Sequence, residues 1–503
     1  MNSSLPPIHP SLEEFQQRAA SGANLIPVWC ELVADGETPV SVYKKIGSEE
    51  PSFLFESVEQ NENMGRFSFA GTGALCTIVA KEHGVTIRYA DGRCEERQVA
   101  DPLKEVEATM AQFRFDDAGQ FPRFCGGAVG YLGYDAVRWF EPAIPPPPPD
   151  SLGVPDLFFL LTETVVIFDH LRRRMQIVIN AHIRDHETPD SAYQRALAQV
   201  RSALSRLAQP VAFPFMFSDF SPEVEKARSN TTREEYHAMI ARGKEYIHAG
   251  DIFQFVAAQR FETDFTGDPL DLYRALRFVN PSPYMFCIRC EGGYSLVGSS
   301  PEVHVRLTGE LVEIRPIAGT RRRGADEEED AAHAKELLAD EKERAEHLML
   351  VDLARNDIGR IAEFGSVRIT DFMTIERYSH VMHIVTHVSA QLAPGRNAFD
   401  VLRATFPAGT VSGAPKVRAM QIINTLEKSK RCTYAGAVGY FGWNGNLDSC
   451  IALRTVLLKD GKAYVQAGGG VVADSSAEGE YQESINKSMA ALRAIERARA
   501  LNL

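Results

Sequence analysis

Cysteine is scarce in this chain: eight residues in 503 (30, 76, 94, 125, 287, 290, 432, 450), too few for a disulfide scaffold. The single CxxC, Cys287-Ile-Arg-Cys290, sits in an apolar run that reads as a strand. Residues three apart on a strand face opposite sides, so the pair is neither a zinc site nor a redox couple, and both thiols read as buried and inert. Basic charge is also short. Lys and Arg number 54 against 67 Asp and Glu, a net charge of −13. That excludes a broad cationic face for nucleic acid or a membrane and leaves only local basic pockets. No apolar run approaches the ~18 residues of a membrane span. Residues 1–10 lack the basic-then-apolar order of a secretory signal. No repeat of solenoid or propeller period is visible. The expectation is a soluble, cytoplasmic protein without nucleic-acid or membrane partners.

What is present fits a globular protein of two large units: 44% apolar and 24% charged residues. Short β-rich runs (52–57, 75–80, 85–89, 165–168, 175–180) mark the first part, with a helix at 190–207 and five prolines at 145–149 in a surface loop. The stretch 209–222 reads as the link between regions 1–215 and 216–503. Beyond it the pattern is denser. A helix at 233–249 has Thr232 as N-cap and Gly250 past its end. Strands are predicted at 252–261, 284–290, 294–299, 302–308, 311–316, 366–373, 380–390, 434–441, 450–459 and 462–467. Helices are predicted at 326–356, at 417–426 and from 477 to the end. Antiparallel strands with helices set aside point to an α+β fold.

Two acidic pairs, Glu343/Glu346 and Glu480/Glu483, stand at i, i+3 on predicted helices, so each pair shares one face. Either pair alone also describes a solvated helix face. Glu346, however, runs straight into the apolar His-Leu-Met-Leu-Val stretch, and carboxylates entering a core need a cation or several donors. Together the pairs suit one hard divalent ion, Mg2+ by ligand type. His380, His383 and His387 lie on a strand, with His383 and His387 on one face and His380 on the other, so they do not share a metal. A lone inward histidine is a satisfied core residue or, if it reaches a pocket, an acid/base group. The glycine-rich runs 408–416 and 466–470 lack phosphate-loop order but suit anions. Thr410 and Arg454 can add side-chain donors there. Arg321–Arg323 reads as an exposed turn.

Longer motifs say more. Pro316-Ile-Ala-Gly-Thr-Arg-Arg-Arg-Gly324, the run Ala345–Asp357, Arg377-Tyr-Ser-His-Val-Met-His383, Phe406–Lys416 and Tyr434-Ala-Gly-Ala-Val-Gly-Tyr440 closely resemble the chorismate-binding enzymes, and among them the synthase subunits of anthranilate synthases. The resemblance implies a two-part sandwich of large, mostly antiparallel sheets with outer helices. It implies Mg2+-dependent addition of ammonia to chorismate and elimination of pyruvate, the first step of tryptophan biosynthesis. Matching motifs assign Glu346 and Glu483, with Glu480, to the metal, and His383, Thr410 and Glu343 to catalysis. Thr320, Tyr434, Arg454, Gly468, Gly469, Gly470 and Lys487 are assigned to the substrate. Ala318 stands where aminodeoxychorismate-type enzymes often carry a nucleophilic lysine, and Gln254 where isochorismate-type enzymes place a water-activating lysine. Alternatives that remain are another chorismate-aminating enzyme and a silent homologue.

The resemblance also implies a glutamine amidotransferase subunit as ammonia donor, in a heterotetramer. It implies feedback inhibition by tryptophan, bound by Glu56, Ser57, Pro281, Ser282, Tyr284, Met285, Val438 and Tyr440. Tyr434, Val438 and Tyr440 on one strand would link that site to the substrate.

Overall fold

The computed structural model describes residues 6–47, 49–57, 65–218, 222–224, 227–378 and 381–502. Its strands form one continuous antiparallel network with two arms that diverge from the long strand Leu157–Asp169. One arm runs through Phe67–Lys81, Ser52–Glu56, Tyr284–Cys290, Tyr294–Ser300, Thr455–Lys459 and Lys462–Val471 to Gln254–Asp264. The other runs through Gly127–Leu132, Ala437–Gly442, Leu447–Ile451, Val303–Thr308 and Leu311–Ile314 to Val381–Gln391. That last strand also pairs with Ile317–Arg322 and Arg368–Arg377.

The two arms face each other across a core rich in aromatics: Phe53, Phe286 and Tyr294 come from one, Tyr131, Val438 and Tyr440 from the other. Helices Pro189–Leu207, Pro269–Val279 and Ala477–Arg499 cover the outer face of the first arm. Helices Leu103–Met110, Glu341–Gly359 and Ala398–Thr405 cover the second. Alternation explains the layers, because strand side chains point to opposite faces. Thus Cys287 lies in the outer core and Cys290 in the inner one, and the two thiols never meet. The helix at Pro189–Leu207 is capped by Thr188 and buries Ala192, Ala196, Val200, Ala203 and Leu207, a three-to-four spacing. The expected α+β sandwich is the observed architecture. Strands from the two expected regions interleave: Glu56 pairs with Met285 and Gly130 with Gly439.

Four expectations change. The helix expected at 326–356 is two, Glu327–Ala339 and Glu341–Gly359, because Asp340 leaves helical geometry and accepts from the amides of Lys342 and Glu343. The strand expected at 450–459 is broken by Arg454, whose φ of 48° a strand cannot hold. Tyr434 precedes its expected strand, which starts at Ala437; Ala435 has a φ of 63° and the chain turns there. Arg321–Arg323 is no exposed turn. Arg321 and Arg322 end the strand Ile317–Arg322, Arg321 bonds Glu336, Asp340 and Glu343, and Arg323 bonds Asp330.

Candidate functional site

The acidic faces of two helices meet over one glycine-rich strand. Asp340 starts the helix carrying Glu343 and Glu346, and Ser476 starts the one carrying Glu480 and Glu483. Between them lies Lys462–Val471. A Cβ on Gly469 would stand 2.6 Å from Glu480 Oε2 and 3.4 Å from Glu483 Oε1. One on Gly470 would stand 2.3 Å from Gln254 Nε2 and 3.6 Å from Glu346 Oε1. The absent side chains are what admits the carboxylates. Gly468–Gly470 pair with Ala258–Val256 on one edge, whereas the ladder on the other edge reaches only Val465. Backbone groups of that second edge therefore face the site, and Lys487 donates to Gly468 O at 3.2 Å.

The four carboxylates have local partners, save at one buried oxygen. Glu346 accepts from Gln254 at 3.1 Å, Glu483 pairs with Lys487 at 2.7 Å, and Arg321 reaches Glu343 at 3.3 Å. Glu480 Oε2 is buried without a hydrogen bond. Burial raises the Glu346 carboxyl above its ordinary range, the Gln254 amide opposes that, and the charges of Glu343 and Glu483 add to it. Burial raises Glu480 as well; a hydrogen bond from Ser475 opposes that, and the charge of Glu483 adds to it. No three His, Cys, Asp or Glu side chains among the described residues yet surround a single point at metal-binding distance.

His383 lies opposite Thr320 in the ladder. Its Nδ1 is 2.8 Å from the Gly319 carbonyl and 3.1 Å from Thr320 Oγ1. A carbonyl only accepts, so Nδ1 carries the proton and Nε2 is left as the basic nitrogen. Burial lowers the His383 pKa, keeping the ring neutral. His387 is spoken for by Glu313 and Thr370, and His380 lies outside the described residues.

Thr410 brings in a residue the sequence reading missed. Its hydroxyl donates at 2.6 Å to Glu302, a carboxyl only 6% exposed that burial pushes up to about 7 against the pull of Thr410, Lys487 and Arg454. Arg454 is held below its usual range by burial, with Glu302 opposing. Its charge and that of Lys487 therefore reach the same carboxyl from different elements. The signal available was Ser299-Ser-Pro-Glu302, an acid set between two apolar runs with no partner at fixed spacing to mark it. Tyr434 is buried, its ring 5.5 Å from the Arg431 guanidinium.

A separate cavity of about 330 Å3 opens between the two arms. Glu56, Ser57, Tyr284, Met285, Val438 and Tyr440 line it, with Phe55, Arg66, Arg306 and Asp448. Pro281 and Ser282 do not line it. Ser282 is turned inward and accepts from Ser299 at 2.9 Å, and Pro283 takes the place at the wall. Ser57 Oγ is buried without a partner, whereas Glu56 already accepts from Tyr273 and lies 3.4 Å from Arg277. Tyr284 donates to Asp448 at 2.9 Å, and Arg306 to Asp448 at 3.1 Å.

No helix in the described residues is long and apolar enough to cross a membrane. The anthranilate synthase component 1 of Pseudomonas putida is 48% identical over 96% of this chain and 98% of its own length. The crystal structure of anthranilate synthase component I from Streptococcus pneumoniae superposes with a TM-score of 0.76 at 36% identity, over 92% of this chain and 99% of that one. The menaquinone-specific isochorismate synthase of Escherichia coli shares the fold, with a TM-score of 0.69 at 17% identity over 96% of this chain and 98% of that one. The profile described as chorismate binding enzyme matches residues 50–493, and with these relatives it shows that the chain belongs to the chorismate-binding enzyme family.

Proposed function

We propose that this chain is the synthase component of an anthranilate synthase. In this reading ammonia adds at C2 of chorismate, the C4 hydroxyl leaves, and pyruvate is eliminated to give anthranilate. The observation that carries it is the group beside Glu346: Gln254, an amide, which can neither activate water nor attack a ring. Ala318, opposite Ile384 in the ladder, offers only a methyl group where a lysine would be the nucleophile. Ammonia is then the attacking species. Glu302, half protonated near neutral pH, supplies a proton to the departing hydroxyl, and His383 Nε2 handles the proton at the elimination.

The oxygen-only donor set fits a hard divalent cation, and the unpartnered buried Glu480 Oε2 is the observation favouring one. Glu346, Glu480 and Glu483 would hold Mg2+, with Glu343 in support. When bound, the ion supplies positive charge to the ring carboxylate of chorismate. Lys487, Arg454, Tyr434, Thr320 and the edge of Gly468–Gly470 bind and orient the substrate.

Tryptophan is read as the inhibitor held in the cavity between the arms. Its indole would lie against Met285, Tyr284 and Val438, with Ser57 as a hydrogen-bond partner. The ammonia donor is read as a separate glutaminase. The curated relatives are named component 1, and the exposed cysteine among the eight, Cys94, lies on a strand and in no nucleophile turn. The test is incubation with chorismate, Mg2+ and an ammonium salt or glutamine. Anthranilate fluorescence with ammonium but not with glutamine is expected. An aminated product that keeps its enolpyruvyl group, or no product, overturns the assignment.

A further inference from the structure

Arg431 is buried to 2% exposure, yet it touches no acid in the catalytic set. Its guanidinium forks onto Glu427, at 2.9 Å from Nε and 2.6 Å from Nη2. Two further donors go to backbone: Nη1 to Val411 O and Nη2 to Val256 O, both at 2.8 Å. Val411 belongs to the three-residue turn Gly409–Val411 that presents Thr410 to Glu302. Val256 belongs to the strand that pairs with Gly468–Gly470. The plane of the guanidinium also lies against two rings, Tyr134 at 4.6 Å and Tyr434 at 5.5 Å, and the amide of Tyr434 bonds back to Arg431 O at 3.2 Å. One side chain thus ties the Thr410 turn and the Tyr434 ring to the fixed strand beneath them.

Backbone bonds fasten the chain just after the turn, from Val256 N to Ser412 O at 3.1 Å and by pairing of Gly413–Ala414 with Phe255–Gln254, whereas the Val411 carbonyl within the turn is met by Arg431. Thr410 sits in a single helical turn whose amides bond only locally, and its neighbour Gly409 packs against Leu353. The donor that fixes the Val411 carbonyl directly is charged, planar and itself clamped.

We propose that Arg431 is a positioning residue for chorismate, setting the Thr410–Glu302 pair and the Tyr434 ring in register with each other. It rests on the reading that these residues line the chorismate site. Lysine keeps the charge but has one donor atom and no plane, so it cannot hold Glu427, two carbonyls and two rings together. Misplacement of reacting groups by about 1 Å costs on the order of a hundredfold in rate.

The test compares the full chain with its Arg431→Lys and Glu427→Gln variants, using ammonium as nitrogen donor. Readouts are kcat and KM for chorismate, the Mg2+ concentration giving half-maximal rate, and thermal unfolding by circular dichroism. Arg431→Lys is expected to lower kcat/KM for chorismate about fiftyfold while the Mg2+ half-saturation stays within about twofold, because the acidic helices are anchored elsewhere. Glu427→Gln, which keeps the arginine and its carbonyl bonds but loosens the fork, is expected to lose about fivefold. If Arg431→Lys does not fold, Glu427→Gln decides. Full kcat/KM in the folded variants overturns the proposal, and so does an equal loss in chorismate and Mg2+ response, which marks general loosening. A wild-type chain that does not turn over chorismate instead overturns the function reading itself.

Discussion

The cavity between the arms and the acidic cleft hold their polar groups in opposite ways. In the cavity the walls are preformed: Tyr284, Asp448 and Arg306 are bonded to one another, and an open volume of about 330 Å3 waits beside apolar side chains. In the cleft, like charges crowd one strand and are kept apart by borrowed partners, namely Gln254, Lys487 and Arg321. A preformed apolar site can bind a ligand with little rearrangement. A cleft of repelling carboxylates gains most from a cation that replaces those partners. The lesson is that the two sites respond to different perturbations, charge in one and volume in the other.

The sharpest break is expected in the cleft. Glu346→Gln or Glu483→Gln removes the charge of one proposed ligand, and Mg2+-dependent anthranilate formation should fall by at least about a thousandfold with circular dichroism unchanged. Near-normal rates at ordinary Mg2+ in either variant would sink the metal assignment.

Glu302 separates stability from activity. Its carboxyl rises from 4.5 to about 7 in the folded chain, so the native state holds a proton that the unfolded state releases. The associated stability is fully present below pH 4.5 and is lost as pH rises through about 7. The gap corresponds to about 3 kcal/mol. Glu302→Gln should therefore gain stability over the wild type on going from pH 5 to pH 8, by up to that amount, while losing turnover. Denaturant titrations at the two pH values measure it; a difference independent of pH would show that Glu302 titrates normally.

The smallest effect tests the cavity. Ser57→Phe removes the unpartnered Ser57 Oγ and fills cavity volume in its place, and should raise the tryptophan concentration for half-inhibition by about tenfold, with ammonia-dependent turnover within about twofold. A variant as sensitive as the wild type means that tryptophan binds elsewhere.

The cleft was the more legible of the two in the sequence, since helical pairs at i, i+3 announce a shared face. Glu302 escaped because a strand end carries no such spacing. The break at Arg454 escaped because a non-glycine residue with positive φ leaves no compositional mark. Arg321–Arg323 looked like a turn because three charges in a row seldom enter a sheet, and only Glu336, Asp340 and Glu343 on neighbouring helices explain how Arg321 does so. The cavity's walls were identified by motif rather than by periodicity. Motif adjacency carried Pro281 and Ser282 along with Tyr284 and Met285, although the Ser282–Ser299 bond turns that segment inward.

The interleaving of early and late strands bears on how the chain is made. Gly127–Leu132 pairs early with Leu157–Asp169 on one edge but finds the partner of its other edge only in Ala437–Gly442, and Ser52–Glu56 finds one of its two only in Tyr284–Cys290. At ribosomal speeds of about 5–20 residues per second, the first of these edges stays open for roughly 15–60 s after it emerges. During that time Val129, Tyr131 and Leu132, all buried in the finished protein, present an unpaired apolar edge that neighbouring nascent chains can add to. Yield in the cell should therefore depend on chaperone supply during synthesis more than on the stability of the finished fold.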